Sequence, residues 1–227
     1  MILVMSQNAC GHDFNKWIPI CLSDKSFIVI SVDTLLTWGA TYKKLAPDEI
    51  IFIEGAEAHF YYQLVSGSVR WVNVFDDGRE FIQTMVEPGE CFGELALFDD
   101  QDYVATAIAN EPSIIIRLDK DSFQRLLKSD SEIHFEFTRQ LVKEMRFKFL
   151  LVRELAQPDP EHRLMTLISY FKKTGRNISL NQKKVQLTRQ HIADMTGLRV
   201  ETVIRAVKAL ERKGFLSVQH GKVYCQP

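Results

Sequence analysis

Cysteine is scarce in this chain and carries no pattern: Cys10, Cys21, Cys91 and Cys225 are the four in 227 residues, and no two form a C-x-x-C pair. That spacing excludes a zinc ribbon and a thioredoxin-type redox centre. Reduced structural thiols are the reading that remains, with Cys10-Gly11-His12 plus Cys21 as a partial metal set. Long hydrophobic runs are also missing. Met1–Met5 is too short to cross a bilayer and Phe27–Trp38 is interrupted by Asp33. Without a signal-peptide pattern, a cytoplasmic protein is expected. No His-x-His occurs and His59 stands alone in its region, so the ligand set of a cupin-like metal enzyme cannot be assembled. No metal or cofactor is therefore expected.

The small net charge, −1, hides a segregation. From Pro158 to Pro227 there are 13 Lys and Arg against 5 Asp and Glu, a net of +8; residues 1–157 carry 15 against 24, a net of −9. A basic C-terminal third on an acidic body points to a polyanion as the partner of that third alone. The apolar content of 46% is enough for real cores, and the length suits one large domain or two modest ones.

The basic third carries the most specific pattern. Thr188 can cap a short helix with Ile192 and Ala193 inward, and Thr196-Gly197-Leu198 supplies a tight turn. A longer helix starts near Arg199, with Val203, Ala206, Val207 and Leu210 as its buried stripe. Val200, Glu201, Thr202, Ile204 and Arg205 are left facing outward. This is a helix-turn-helix, and a wing follows it. Glu201 can accept from a cytosine amino group and Arg205 can donate two bonds to guanine, so the two can read one G·C pair. As an isolated surface pair they would only add about 0.2–0.5 kcal/mol to the helix. Their place at the groove-entering end of the second helix favours DNA reading. Arg189, Arg199, Lys208, Lys213 and Lys222 are the candidate phosphate contacts.

Upstream, residues 40–120 show short β-rich runs separated by Glu54-Gly55, Ser66-Gly67, Asp77-Gly78 and Pro88-Gly89, the density of a β-roll or jelly roll. Between Ser131 and Gln157 neither glycine nor proline intervenes, which predicts a helix about 40 Å long within a helical region 121–157. Leu141, Met145, Val152 and Leu155 are its expected dimer seam, with Phe137, Phe147, Phe149 and Leu151 broadening the apolar surface. Pro158-Asp159-Pro160 breaks it and is the expected hinge to the 158–227 unit. Residues 1–39 have no assigned role; Leu35-Leu36 suggests a short element packed on the roll. The expected fold class is α+β: a double-stranded β-helix or jelly-roll sensor, a long dimerisation helix and a C-terminal winged helix-turn-helix.

This order of parts resembles the CRP/FNR family of bacterial transcription regulators over nearly everything after residue 40. The marks are Phe60–Val69 in the roll, Pro88–Phe98 in the effector pocket and Val200–Arg205 in the second helix. The resemblance implies a homodimer on an inverted repeat, with RNA polymerase as a partner. It also implies an effector pocket at Phe92, Gly93, Glu94 and Leu95. In cyclic-AMP-binding members an Arg-Ser pair follows that motif and holds the phosphate; Tyr103-Val104 stands there in this chain. Losing the cationic partner of a buried anion costs about 3–5 kcal/mol, and Asp99, Asp100 and Asp102 add repulsion. Cyclic AMP is therefore not the expected effector. The pocket is expected to be empty, filled by side chains such as Tyr103 and Phe149, or adapted to another ligand. Cys10 and Cys21 do not match the spacing of iron-sulfur members, while His59 and His134 leave a haem reading open. The Val200-Glu201 start looks like the FNR branch, implying TTGA-like half-sites. The competing reading is a sensor that binds a small molecule or protein without specific DNA recognition.

Overall fold

The computed structural model describes residues 30–179 and 183–226. Cys10, His12, Cys21 and most of the 1–39 segment lie outside the described residues. Of that segment, helix α1 (Val32–Thr37) is described, capped by Ser31, which accepts from Thr34 N at 3.1 Å. Ile30 and Leu35 are buried in the core of the following domain, so the domain starts by residue 30 and not at 40.

That domain is a pair of four-stranded antiparallel sheets. One runs β1 (Thr41–Leu45), β8 (Ser113–Asp119), β3 (Phe60–Ser66), β6 (Cys91–Phe92); the other runs β2 (Ile50–Phe52), β7 (Thr106–Ala109), β4 (Val69–Val74), β5 (Glu80–Val86). Tyr61, Leu64, Phe92 and Ile115 from the first sheet meet Phe52, Val69, Trp71 and Ala107 from the second in one core. The glycine turns foreseen in the sequence are real. Gly67 has φ +93°, and a Cβ there would run into Ser113, so the β3–β4 turn needs glycine for both conformation and space. A short helix, α2 (Ala96–Asp99), follows β6.

Two helices close the roll. Asp119 caps α3 (Lys120–Ser129) and Asp130 caps α4 (Ser131–Leu155), each accepting from two backbone N–H groups. Such caps contribute about 1 kcal/mol each. Phe123 stacks on Tyr61 at 4.6 Å and Phe137 meets both rings, which fixes the start of α4 on the roll. The long helix thus ends at Leu155, two residues before the expected limit, and the break at Pro158-Asp159-Pro160 starts α5 (Pro160–Thr174) with Pro160 in the first turn and Asp159 as cap.

The C-terminal unit comprises α5, β9 (Ile178–Ser179), β10 (Lys184–Val185), α6 (Arg189–Thr196), α7 (Val200–Arg212), β11 (Leu216–Gln219) and β12 (Lys222–Cys225). Its core joins Leu164, Ile168, Ile192, Val203, Val207 and Leu216, and it continues without a break into Phe147 and Leu151 of α4 and Val72, Ile82 and Met85 of the roll. The unit is therefore packed against the roll, with α6 lying along β5. β5 is the edge strand of its sheet, and the outer face of that sheet, through Val72, Ile82, Met85 and Ile108, joins the core of the C-terminal unit.

Candidate nucleic-acid interface and sensor pocket

Thr188 is the N-cap of α6, its Oγ1 accepting from His191 N at 3.0 Å. Gly197, φ +64°, ends α6 in the left-handed region and turns the chain into α7. Val203, Ala206, Val207 and Leu210 are buried as the 3.6-residue period requires. Opposite them, Glu201, Ile204, Arg205 and Lys208 are exposed, with Arg199 beside them at the N-cap. Val200 and Thr202 are half-buried, Val200 against the domain core. Arg205 Nη2 donates to Thr202 Oγ1 at 3.4 Å, which holds the guanidinium near the start of the helix. Arg189 Nη1 donates to Gly221 O at 2.7 Å, fastening the first helix to the β11–β12 turn that forms the wing tip. Lys213 pairs with Glu161 at 2.6 Å and so faces α5; Lys222 is exposed.

In the roll, the pocket motif places Phe92, Gly93 and Glu94 inside. Tyr103 is buried as well, its ring 3.8 Å from that of Phe52 and 12° from parallel. Phe52 also meets Tyr62 at 5.5 Å and Phe92 at 6.0 Å, so four rings fill the space beside Gly93. A Cβ on Gly93 would stand 2.8 Å from Phe52 and 3.2 Å from Tyr103. Tyr103 is pinned at both backbone groups, accepting from Gly55 N and donating to Ala56 O. Three of the residues expected in this pocket are elsewhere. Leu95 and Val104 are 42% and 51% exposed, because the short α2 turn and the approach to β7 direct them outward. Phe149 is 71% exposed on the far face of α4, where its register carries it away from the roll. Phe52 and Tyr62 are the members the sequence reading missed; they sit among β-rich residues with no signal separating pocket from core.

Glu94 is buried, and one of its oxygens has no hydrogen-bond partner. Burial pushes its carboxyl up to about 7. Burial also lowers the nearby Lys148 ammonium to about 8, and its Nζ donates to Gln83 O at 2.7 Å. Among the described residues no three His, Cys, Asp or Glu side chains gather as a metal-holding group. His59 is on the surface beside Glu57, and His134 is exposed on α4.

The outward face of α4 exposes Phe135, Thr138, Val142, Met145, Phe149 and Val152, a strict alternation of three and four residues. Met145 and Val152 of the expected seam lie on this face, whereas Leu141 packs on the roll core and Leu155 meets the turn at Gly197. Phe135, Val142 and Phe149 share the exposed face, one seven-residue step apart.

A cyclic nucleotide-binding domain model matches residues 42–130, and a Crp-like helix-turn-helix domain model matches residues 162–225. The chain belongs to the CRP/FNR family of transcription regulators. The cAMP-activated global transcriptional regulator CRP of Pasteurella multocida is 29% identical over 197 residues, 85% of this chain and 94% of that protein. Two solved structures have the same fold. The c-di-GMP-responsive global regulator CLP of Xanthomonas campestris aligns with a TM-score of 0.70 at 21% identity, over 86% of this chain and 99% of its own. FixK2 of Bradyrhizobium japonicum gives 0.70 at 23%, over 83% and 93%. The winged helix is thus the DNA-binding unit of a transcription regulator, and the roll has the fold of a cyclic nucleotide-binding domain. No helix among the described residues is long and apolar enough to cross a membrane.

Proposed function

We propose that this CRP/FNR regulator is a cytoplasmic, non-enzymatic homodimer that reads an inverted repeat of TTGA-like half-sites without cyclic AMP. The observation that carries the DNA reading is the outward face of α7, where Glu201 and Arg205 stand exposed one turn apart above a fully buried stripe. Glu201 accepts from the cytosine and Arg205 donates to the guanine of one G·C pair, and Ile204 offers an apolar contact to a thymine methyl. Arg199, Lys208 and Lys222 supply sequence-independent affinity through phosphates. The α4 stripe from Phe135 to Val152 pairs with the same stripe of a second copy, setting two recognition helices for two half-sites. RNA polymerase is the protein partner that such a bound dimer contacts.

The Pasteurella relative is cAMP-activated, and this chain departs from that behaviour at Tyr103. Its ring, stacked on Phe52, occupies the interior beside Gly93, and no cation stands in the Tyr103-Val104 segment to balance a cyclic phosphate. The reading is tested by fluorescence anisotropy of the effector-free protein on a duplex with two inverted TTGA half-sites one turn apart. A scrambled duplex at the same near-physiological salt is the reference. Preferential binding of the palindrome supports the assignment; equal binding of both rejects it.

A further inference from the structure

The wing is a two-stranded hairpin whose far end has no apolar support. Gln219 pairs with Lys222, which leaves His220 and Gly221 as the two turn residues, at φ +46° and +75°. Positive φ at both is the primed turn that suits the twist of a hairpin. Leu216 and Val223 are buried at the base, whereas Gln219, His220, Gly221 and Lys222 are all exposed. A hairpin is marginally stable by its own pairing, so the position of the tip has to be fixed from outside it.

Two side chains, one from each helix of the helix-turn-helix, reach across to it. Arg189, the first residue of α6, donates from Nη1 to Gly221 O at 2.7 Å. Glu211, in the last turn of α7, accepts from Val218 N at 2.8 Å through Oε1. β11 is the edge strand of its sheet, so Glu211 satisfies an N–H on an unpaired edge. Burial draws the Arg189 guanidinium below its ordinary range, while Glu211, close by, pulls the other way. In the sequence Arg189 is a candidate phosphate contact; in the structure its bond is to a carbonyl oxygen of the wing. Both bonds tie the wing to the helix that carries Glu201 and Arg205 and to the helix before it.

We propose that Arg189 and Glu211 are positioning residues, two tethers that set the wing tip against α7 so that Lys222 meets the DNA backbone in register with base reading. Arg189 itself neutralises no phosphate. The inference rests on the DNA-binding reading above. A tip already held in place has no ordering cost left to pay on binding, so loss of either tether weakens binding to every sequence. At Glu211 the tether and a plain charge differ in sign. As a charge, a carboxylate on a DNA-binding unit repels the backbone and its removal tightens binding; as a tether, its removal frees the wing and weakens binding.

Anisotropy titrations of full-length variants against both duplexes over a range of salt test this. Glu211→Ala is expected to weaken binding several-fold; unchanged or tighter binding overturns the proposal. Arg189→Met is expected to weaken binding several-fold in the natural protein, and to leave affinity and salt slope unchanged once Lys222→Ala is present. A second loss in that background, with the slope falling by about 0.9 for each further phosphate released, makes Arg189 a phosphate contact and overturns the proposal. Without DNA, Arg189→Met is expected to lower the heteronuclear NOE of the Gly221 and Lys222 amides at an unchanged urea midpoint; an unchanged NOE overturns it as well. Should Arg189→Met not fold, Arg189→Gln is read in the same way. Failure of the palindrome to outbind the scrambled duplex, with these effects intact, defeats the half-site reading and leaves the tethers standing.

Discussion

The ring of Tyr103 lies 3.8 Å from the ring of Phe52, 12° from parallel, above a glycine that has no room for a Cβ. Both rings belong to the hydrophobic core of the roll, together with Tyr62 and Phe92. Replacing Tyr103 with alanine removes a buried stacked ring and should cost about 3–5 kcal/mol, read as a lower urea midpoint at unchanged slope. Gly93→Ala should also destabilise, since the new Cβ meets Phe52 at 2.8 Å and the backbone is at φ +74°. A Tyr103→Ala loss within about 0.5 kcal/mol would show that the ring is not packed as described.

Replacement of Arg205 by alanine should cost about 1–3 kcal/mol on the TTGA palindrome and relax the preference at its G·C pair. The check is a set of duplexes varied at that pair alone. An equal loss on all of them would make Arg205 a phosphate contact.

Phe149 and Met145 are 71% and 61% exposed, so charged residues there spare the fold of one chain. Phe149→Glu, placing like charges across a paired helix, should convert the dimer to monomer in sedimentation velocity and remove preferential palindrome binding. A dimer that persists would place the interface elsewhere.

Burial raises the Glu94 carboxyl from 4.5 to about 7. The folded state therefore favours the protonated form, and Glu94 contributes stability at low pH that is lost as pH rises from about 4.5 through about 7. The loss is on the order of 3 kcal/mol at about 1.4 kcal/mol per unit. Glu94→Gln, neutral at every pH, should be more stable than the natural protein at pH 8 and should flatten the decline between pH 5 and 8. Chemical denaturation across that range reads both.

Much of the fold was legible because it depends on local rules. Turn glycines, the Thr188 cap, the proline break and the apolar stripe of α7 each act within a few residues, and each is found in place. Of the five residues expected to face outward on α7, Glu201, Ile204 and Arg205 are exposed, while Thr202 is half-buried and Val200 packs against the domain core. Features that depend on distant contacts were not legible. Leu141 and Leu155 are as apolar as Val142 and Phe149, and only the roll on one side of α4 decides which of them face away from it. Phe149 looked like a pocket filler for want of that register. Arg176 gave no signal at all: a single arginine after a helix-ending glycine, its partners Glu90 and Glu144 brought to it by the docking of two domains.

The most direct test of the account is an anisotropy titration of the inverted TTGA duplex with and without saturating cyclic AMP, with the scrambled duplex in parallel. The account predicts preferential binding of the palindrome by the effector-free protein and no change on adding the nucleotide. Palindrome binding that appears only with cyclic AMP would contradict it, since the nucleotide would then have displaced Tyr103 from Phe52.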